Sequence, residues 1–128
     1  MCCLKQVLLA DDEEMVLRLV SRYLQYLNYD VIECSNGTQA LNCMKAFPDR
    51  IGLAILDLNL PDIPGIMLAH KIKEINPDLP ILLSSGESID IDETNRNRPE
   101  KLIHALLLKP FSLQHFSEVV NSVMGSRE

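Results

Sequence analysis

The sequence lacks the features that direct a chain to nucleic acid or to a membrane. Its 12 Lys+Arg are outnumbered by 18 Asp+Glu, for a formal net charge of -6, so no basic surface for DNA is expected. No apolar run approaches the roughly 20 residues of a membrane helix. The N-terminal Met-Cys-Cys-Leu-Lys lacks the positive and then apolar order of a secretory signal. We therefore expect a soluble, cytoplasmic domain that binds neither nucleic acid nor membrane.

Cysteine motifs for metals and clustered histidines are also missing. Cys2 and Cys3 are adjacent, whereas Cys34 and Cys43 each stand alone in the sequence, and none has the spacing of a zinc site. The latter two are predicted to be small buried hydrophobic residues. The three histidines have no glutamate or cysteine at ligand spacing, and we interpret them as surface or packing residues: His70, His104 and His115.

What the chain does contain is an alternation of apolar runs and amphipathic segments. Its 128 residues fit one domain, 1–128. Apolar runs predict five strands, at 5–10, 29–34, 51–57, 80–85 and 103–108. Helical spacing of apolar residues predicts a helix over about 13–28 and others after each later strand. Asn36 with Gln39 resembles a capping pair, and Ser112 is a predicted cap of the last helix.

Five strand–helix units imply an α/β fold with a parallel sheet covered by helices on both faces. We predict the flavodoxin-like (βα)5 three-layer sandwich with sheet order 2-1-3-4-5. The fourth helix is expected to be irregular. Residues 86–98 are polar and precede Pro99, so any helix there should be short, poorly anchored or displaced, and the segment locally mobile.

Charged residues follow three of the predicted strands. Asp57 ends the third, Asp11 and Asp12 follow the first, and Lys109 follows the fifth. With this sheet order the carboxyl ends of strands one and three are neighbours, so the three carboxylates share one pocket. Their repulsion raises a pKa unless a cation neutralises it. Mg²⁺ fits best, with Mn²⁺ as an alternative ion, and the backbone carbonyl of Asn59 could complete its oxygen ligands.

These residues suit phosphoryl transfer, which requires mainly positioning and charge neutralisation. Asp57 would be the nucleophile. Lys109 could pair with Asp57 at rest and with a phosphoryl oxygen after transfer, and the Ser85 hydroxyl at the end of strand four could donate to the same group. The Lys109-Pro110 bond is a candidate for the cis form, because only X-Pro bonds adopt it cheaply.

The same residues resemble the receiver domain of two-component response regulators over essentially the whole chain. The acidic pair after strand one is followed by Leu-Asp-Leu-Asn-Leu-Pro-Asp-Ile-Pro-Gly, by Ser-Ser-Gly after strand four and by Leu-Lys-Pro-Phe after strand five. The resemblance implies that Asp57 accepts a phosphoryl group from a histidine kinase or phosphotransfer domain. It implies direct Mg²⁺ ligation by Asp12, Asp57 and the Asn59 carbonyl, with Asp11 acting through water.

The resemblance also implies roles for the phosphate-facing residues. Ser85 would be the switch hydroxyl and Lys109 the phosphate partner, while Asn59 and Glu87 would tune hydrolysis. Apart from self-phosphorylation and slow autodephosphorylation, such a domain is not an enzyme. Leu106 stands where many receivers have Tyr or Phe, which argues against signalling by rotation of an aromatic side chain.

Two alternatives remain open. Leu106 and the irregular fourth helix are compatible with a phosphorylation-independent pseudo-receiver that only binds partners. An aspartyl-phosphate phosphatase is disfavoured, because Asp57-Leu58-Asn59 lacks a second acid and the chain has no room for a cap. The domain could act alone or within a longer regulator or hybrid kinase, and its output partner and cognate kinase are unknown.

Overall fold

A computed structural model describes residues 6–96 and 101–125 as alternating strands and helices. The strands are β1 Gln6–Ala10, β2 Asp30–Cys34, β3 Ile51–Asp57, β4 Ile81–Ser85 and β5 Ala105–Leu108. The helices are α1 Glu14–Tyr26, α2 Gly37–Ala46, α3 Gly65–Ile75, α4 Ile91–Thr94 and α5 Leu113–Gly125. Among the described residues, no helix combines the length and apolar character needed to cross a bilayer.

The sheet confirms the predicted architecture. Its strands are parallel, in the order β2-β1-β3-β4-β5. On one face α1 and α5 enclose an apolar cluster that includes Leu24 and Phe116, and on the other α2 and α3 enclose a cluster that includes Met44 and Ile72. β3 is central and almost wholly buried, as expected for a strand covered on both faces. The fold is the flavodoxin-like three-layer sandwich.

Strand and helix ends agree with the sequence reading to within a few residues. β3 has the predicted bounds, whereas β1 begins at Gln6, and Lys5 lies outside the described residues. α1 ends at Tyr26 rather than near Asn28, because Asn28 has φ 70 and turns the chain toward β2. The Asn36 side chain accepts a hydrogen bond from the Gln39 N–H at 2.8 Å, which confirms the predicted cap of α2.

The fourth strand–helix unit is irregular, as predicted. α4 is a single turn of four residues, capped by Asp90, whose carboxylate accepts from the Glu93 N–H at 3.1 Å. The next strand begins at Ala105 and not at 103, because the backbone of Ile103 bonds to the Asn95 side chain instead of a neighbouring strand. Pro99 lies outside the described residues, and mobility of the segment stays a prediction.

Two cysteines that stand apart in the sequence are neighbours in space. Cys34, the last residue of β2, is buried, while Cys43 on α2 is half-buried. Their Sγ atoms are 3.9 Å apart. Burial raises the pKa of the Cys34 thiol to about 12, and the adjacent Cys43 adds to the shift. The hydrophobic packing of Cys34 is therefore confirmed, but the pairing was not foreseen. Cys2 and Cys3 lie outside the described residues.

Candidate functional site

Three carboxylates meet at the carboxyl end of the sheet. Ala10 and Leu56 are paired across β1 and β3, so the residues that follow them, Asp11 and Asp57, emerge side by side. Asp11 and Asp57 are buried, at 1% and 6% exposure, whereas Asp12 is exposed. One oxygen from each carboxylate lies within 4.8 Å of the others. The predicted convergence is thus present.

Lys109, the residue after β5, lies beside this cluster. Its ammonium lies 3.1 Å from Asp11 Oδ2, 3.4 Å from Glu13 Oε1 and 3.6 Å from Asp57 Oδ1. The predicted pairing with Asp57 therefore exists, but Asp11 is nearer, and Glu13 also takes part. The Lys109 N–H donates to the Ser85 carbonyl at 2.7 Å, and the Lys109-Pro110 bond is cis, as predicted.

The burial of these charges shifts their ionisation. Burial raises the pKa of Asp11, and the neighbouring Asp57 charge adds to this, against hydrogen bonds from the Glu13 N–H and Lys109 that lower it. For Lys109, burial acts to lower the pKa, but the hydrogen bond and charge of Asp11, with the charges of Asp57 and Glu13, outweigh it and raise the pKa. Burial is thus the largest cause of the raised pKa of Asp11, with the charge of Asp57 as a smaller cause.

Ser85 and Glu87 form a turn at the end of β4. The Ser85 hydroxyl donates to the Glu87 carbonyl at 2.8 Å and accepts from the Glu87 N–H at 2.9 Å. Ser85 is buried, and Glu87 is exposed. The buried Ser84 hydroxyl beside it has no hydrogen-bond partner among residues 6–96 and 101–125, and Ser84 is the register partner of Asp57. The sequence pattern indicates Ser85 but not Ser84, because the direction of a side chain cannot be predicted from it.

The loop after Asp57 is held tightly against β3. The Gly65 N–H donates to the Leu58 carbonyl at 2.8 Å, and Asn59 pairs with Pro64 in an isolated antiparallel bridge. A Cβ on Gly65 would lie 2.3 Å from the Asp57 carbonyl oxygen, so only glycine permits this approach. Asn59 is exposed, and its carbonyl as a metal ligand stays a prediction.

Asp62 anchors the same loop to α2. Its carboxylate accepts from the Gly37 N–H at 2.8 Å, from the Thr38 N–H at 2.9 Å and from the Thr38 hydroxyl at 2.7 Å. These bonds, that of the Thr38 hydroxyl foremost, lower the pKa of Asp62 to about 2. Its partners lie about 25 residues away, so no local pattern indicated the contact.

The donor set fits a small hard cation. It consists of carboxylate oxygens on rigid strand ends, without thiol or imidazole among the three clustered residues, and Mg²⁺ prefers one or two carboxylates together with water and phosphate oxygens. The raised pKa of Asp11 shows that the ionised cluster costs free energy which a divalent cation would recover. The residues present therefore fit Mg²⁺.

Sequence comparison finds relatives in two-component signalling. A stretch of 116 residues is 32% identical to the autoinducer 1 sensor kinase/phosphatase LuxN of Vibrio harveyi, covering 91% of this chain but 13% of LuxN. The transcriptional regulatory protein SrrA of Staphylococcus aureus is 32% identical over 108 residues, or 84% of this chain and 42% of SrrA. The chain thus spans less than half of either relative.

Structural and family comparisons agree. The fold is similar to that in the CheX-CheY-BeF3-Mg²⁺ complex from Borrelia burgdorferi, with a TM-score of 0.81 at 18% identity over 94% of this chain and 89% of that one. Residues 7–121 match the model of the response regulator receiver domain. The match runs from Val7 in β1 through β5 and includes every residue of the carboxylate cluster. This chain belongs to the family of response regulator receiver domains of two-component systems.

Proposed function

We propose that residues 1–128 form a single receiver domain that accepts a phosphoryl group on Asp57 and signals by changing conformation. The donor would be a phosphohistidine of a histidine kinase or phosphotransfer domain, in the cytoplasm. The observation that carries the proposal is the meeting of three carboxylate oxygens within 4.8 Å of one another, with the Lys109 ammonium 3.6 Å from Asp57. This arrangement combines a nucleophile, a cation site and a fixed positive charge.

Asp11, Asp12, Asp57 and the Asn59 carbonyl would hold Mg²⁺, or Mn²⁺ in its place. A bound ion would neutralise charge on the phosphoryl oxygens during transfer. The neighbour from Borrelia burgdorferi is a complex with BeF3 and Mg²⁺, which supports the same use of the cluster here. Because Asp11 is buried and bonded to Lys109, we assign it an indirect role through water and assign Asp12 direct ligation.

The phosphoryl transfer uses side chains of this domain. A carboxylate oxygen of Asp57 attacks the phosphorus, and the bond from phosphorus to the donor's histidine nitrogen breaks. The Lys109 ammonium, which faces Asp57 before transfer, would pair with the negative phosphoryl oxygens that Asp57 then carries. The Ser85 hydroxyl, bonded to the Glu87 backbone, would turn to a phosphoryl oxygen and release the turn. We assign the exposed Asn59 and Glu87 to tuning of water access, and hence of slow autodephosphorylation.

The signalling partner would meet the exposed side of α1. Met15, which is 84% exposed, and Leu19, which is 45% exposed, lie one helical turn apart on α1, the helix that follows Asp12. Apolar side chains beside a reactive site suit a protein partner. Apart from self-phosphorylation, we assign the domain no enzymatic activity.

A pseudo-receiver remains the second candidate. Two observations favour it: α4 is a single turn, and Leu106, partly buried against the core cluster, replaces an aromatic side chain. In that function the domain would bind partners without chemistry at Asp57. Beryllofluoride with Mg²⁺ separates the candidates, because a phosphoacceptor binds it and a pseudo-receiver does not.

Substitution of the acceptor tests the proposal. The Asp57→Asn variant should lose phosphorylation by acetyl phosphate and Mg²⁺ completely while it keeps its fold, because the amide is nearly isosteric but not nucleophilic. Intact-mass spectrometry measures the phosphoryl adduct, and circular dichroism measures the fold. Asp78→Asn, on the exposed turn after α3, is the matched control and should label normally. Equal labelling of Asp57→Asn would refute the acceptor assignment.

A further inference from the structure

We propose that Cys34 and Cys43 form a reversible disulfide site that links thiol oxidation to the carboxylate cluster. Their Sγ atoms are already 3.9 Å apart, although the residues belong to different elements, β2 and α2. Their positions are fixed by packing, since Cys34 is part of the core cluster and Cys43 packs against it. The link to the carboxylates rests on the proposed function, whereas the disulfide itself does not.

The geometry requires only a modest approach of the two sulfurs. A disulfide bond is about 2.05 Å long, so the sulfur atoms must move together by about 1.9 Å. Rotation of the Cys43 side chain, together with a small shift of α2 toward β2, would supply this movement.

The exposure of the two cysteines decides which thiol reacts first. Cys34 is 2% exposed and cannot meet an oxidant, whereas Cys43 is half-buried and can. A low-molecular-weight disulfide of the glutathione class, RSSR, would react first with the Cys43 thiol, which becomes a mixed disulfide and releases RSH. Cys34 sulfur then attacks Cys43 Sγ and expels the second RS⁻, which takes the Cys34 proton. Both cysteines are oxidised, and one RSSR is reduced to two RSH.

Cys34 is joined directly to the carboxylate cluster. Its backbone carbonyl accepts the Asp11 N–H at 3.0 Å, and Cys34 is paired with Ala10 across β2 and β1. The N-terminus of α2 is in turn bonded to Asp62, in the loop that follows Asp57. A disulfide that draws α2 toward β2 would therefore shift two hydrogen bonds near the cluster. One joins the Asp11 N–H to the Cys34 carbonyl, and the other joins the Gly37 N–H to the Asp62 carboxylate.

The disulfide is tested in the full chain with Cys2 and Cys3 replaced by serine, so that only the two internal thiols remain. This protein is treated with oxidised glutathione, quenched with N-ethylmaleimide and analysed by intact-mass and peptide-mapping spectrometry. We expect both thiols to be lost without retained glutathione, and a cross-linked peptide containing Cys34 and Cys43. Dithiothreitol should restore both.

Two variants in the same background check the assignment. Cys34→Ala should stop at a glutathione adduct on Cys43, and Cys43→Ser should leave Cys34 reduced. A background protein that stays reduced, stops at the Cys43 adduct or links between molecules would overturn the disulfide site. If Cys34→Ala fails to fold, the background protein and Cys43→Ser still decide the question.

The link to the cluster is tested by titrating Mg²⁺ alone into the oxidised and reduced forms. We expect oxidation to weaken Mg²⁺ binding, by a factor in the range of about 5 to 150 typical of coupled sites. Equal affinity of the two forms would overturn the link but not the disulfide. Absence of Mg²⁺ binding to the reduced form would instead refute the metal site of the proposed function.

Discussion

At the scale of single residues, the candidate site depends on an incomplete charge balance. Lys109 is shared among Asp11, Glu13 and Asp57, and Asp11 still has a raised pKa because it is buried beside Asp57. The metal-free site therefore carries unneutralised negative charge. Such a site favours cation binding at the expense of the stability of the metal-free protein.

Replacing Lys109 with Ala tests this balance. Without the ammonium, the carboxylates repel each other more strongly, so we expect the metal-free protein to lose about 2 kcal/mol of unfolding free energy. Mg²⁺ should still bind, and at least as tightly, while the conformational response to phosphorylation is lost. Urea denaturation measures the stability, Mg²⁺ titration measures the affinity, and hydrogen exchange with and without phosphorylation measures the conformational response. Lys71→Ala, on the exposed side of α3, is the control, and weaker Mg²⁺ binding in Lys109→Ala alone would contradict the model.

Asp62 makes a pH-dependent prediction. Its pKa is lowered from 3.8 to about 2, so its bonds to α2 contribute stability that is present above about pH 4 and lost as the pH falls toward 2. Asp62→Asn should therefore unfold more easily than the parent at neutral pH, and the difference should shrink below pH 4. Thermal denaturation across this range measures it, with Asp78→Asn as control. A difference that persists unchanged at pH 2 would contradict the role of the carboxylate.

At the scale of elements, one side chain ties α4 to the segment that enters β5. Asn95 accepts from the Leu102 and Ile103 N–H groups at 2.8 and 3.0 Å and donates to the Ile103 carbonyl at 2.8 Å. It joins the end of α4 to the segment that enters β5. Because α4 has one turn and no fully buried residue, the packing of its partly buried Ile91 against the core is limited, and the Asn95 hydrogen bonds help to position the helix.

Loss of the Asn95 amide should release α4. We expect Asn95→Ala to cost about 1 to 3 kcal/mol, because it leaves polar backbone groups of Leu102 and Ile103 without their partner. Hydrogen exchange followed by peptide mass spectrometry should show faster exchange at residues 91–96 and 102–103, with β1 to β3 unchanged. Asn42→Ala, on the exposed side of α2, is the control. Unchanged exchange in Asn95→Ala would show that other contacts position α4.

At the scale of the whole molecule, metal binding and folding should be linked. The three carboxylates come from β1, β3 and the residues after them, so the intact site exists only in the folded chain. Burial raises the pKa of Asp11, and a raised pKa means that the metal-free protein loses stability as the pH rises through that pKa. Mg²⁺ should offset this loss.

We expect Mg²⁺ at 100 times its dissociation constant to raise the free energy of unfolding by about 2.7 kcal/mol. At the same Mg²⁺ concentration, the Asp57→Asn variant should gain less unfolding free energy, since one ligand charge is missing and the ion binds more weakly. Urea denaturation with MgCl₂, compared with NaCl at equal ionic strength, measures the linkage and controls for screening. The same gain in both salts would argue against a specific site.

The family's fold and the carboxylate cluster were predictable because they depend on patterns between residues that are close in the sequence. Hydrophobic runs located β3 to the residue, and the identities of Asp11, Asp57 and Lys109 followed from their places at strand ends. The bonds of Asp62 and Asn95 were not predictable, since they depend on loop paths. The start of β5 was placed two residues early because Leu102 and Ile103 are apolar and buried, as a strand would be, yet bond to Asn95.

The alternation of strands and helices can be read from the amino-acid sequence alone, and so can the acidic and basic residues at the carboxyl ends of strands. Periodicity and turn chemistry act between near neighbours, so they can be read along the chain. Three contacts became visible in the folded structure: Lys109 lies nearest Asp11, Ser85 bonds to Glu87, and Cys34 lies beside Cys43. These contacts depend on side-chain directions and packing between elements, which no local pattern specifies.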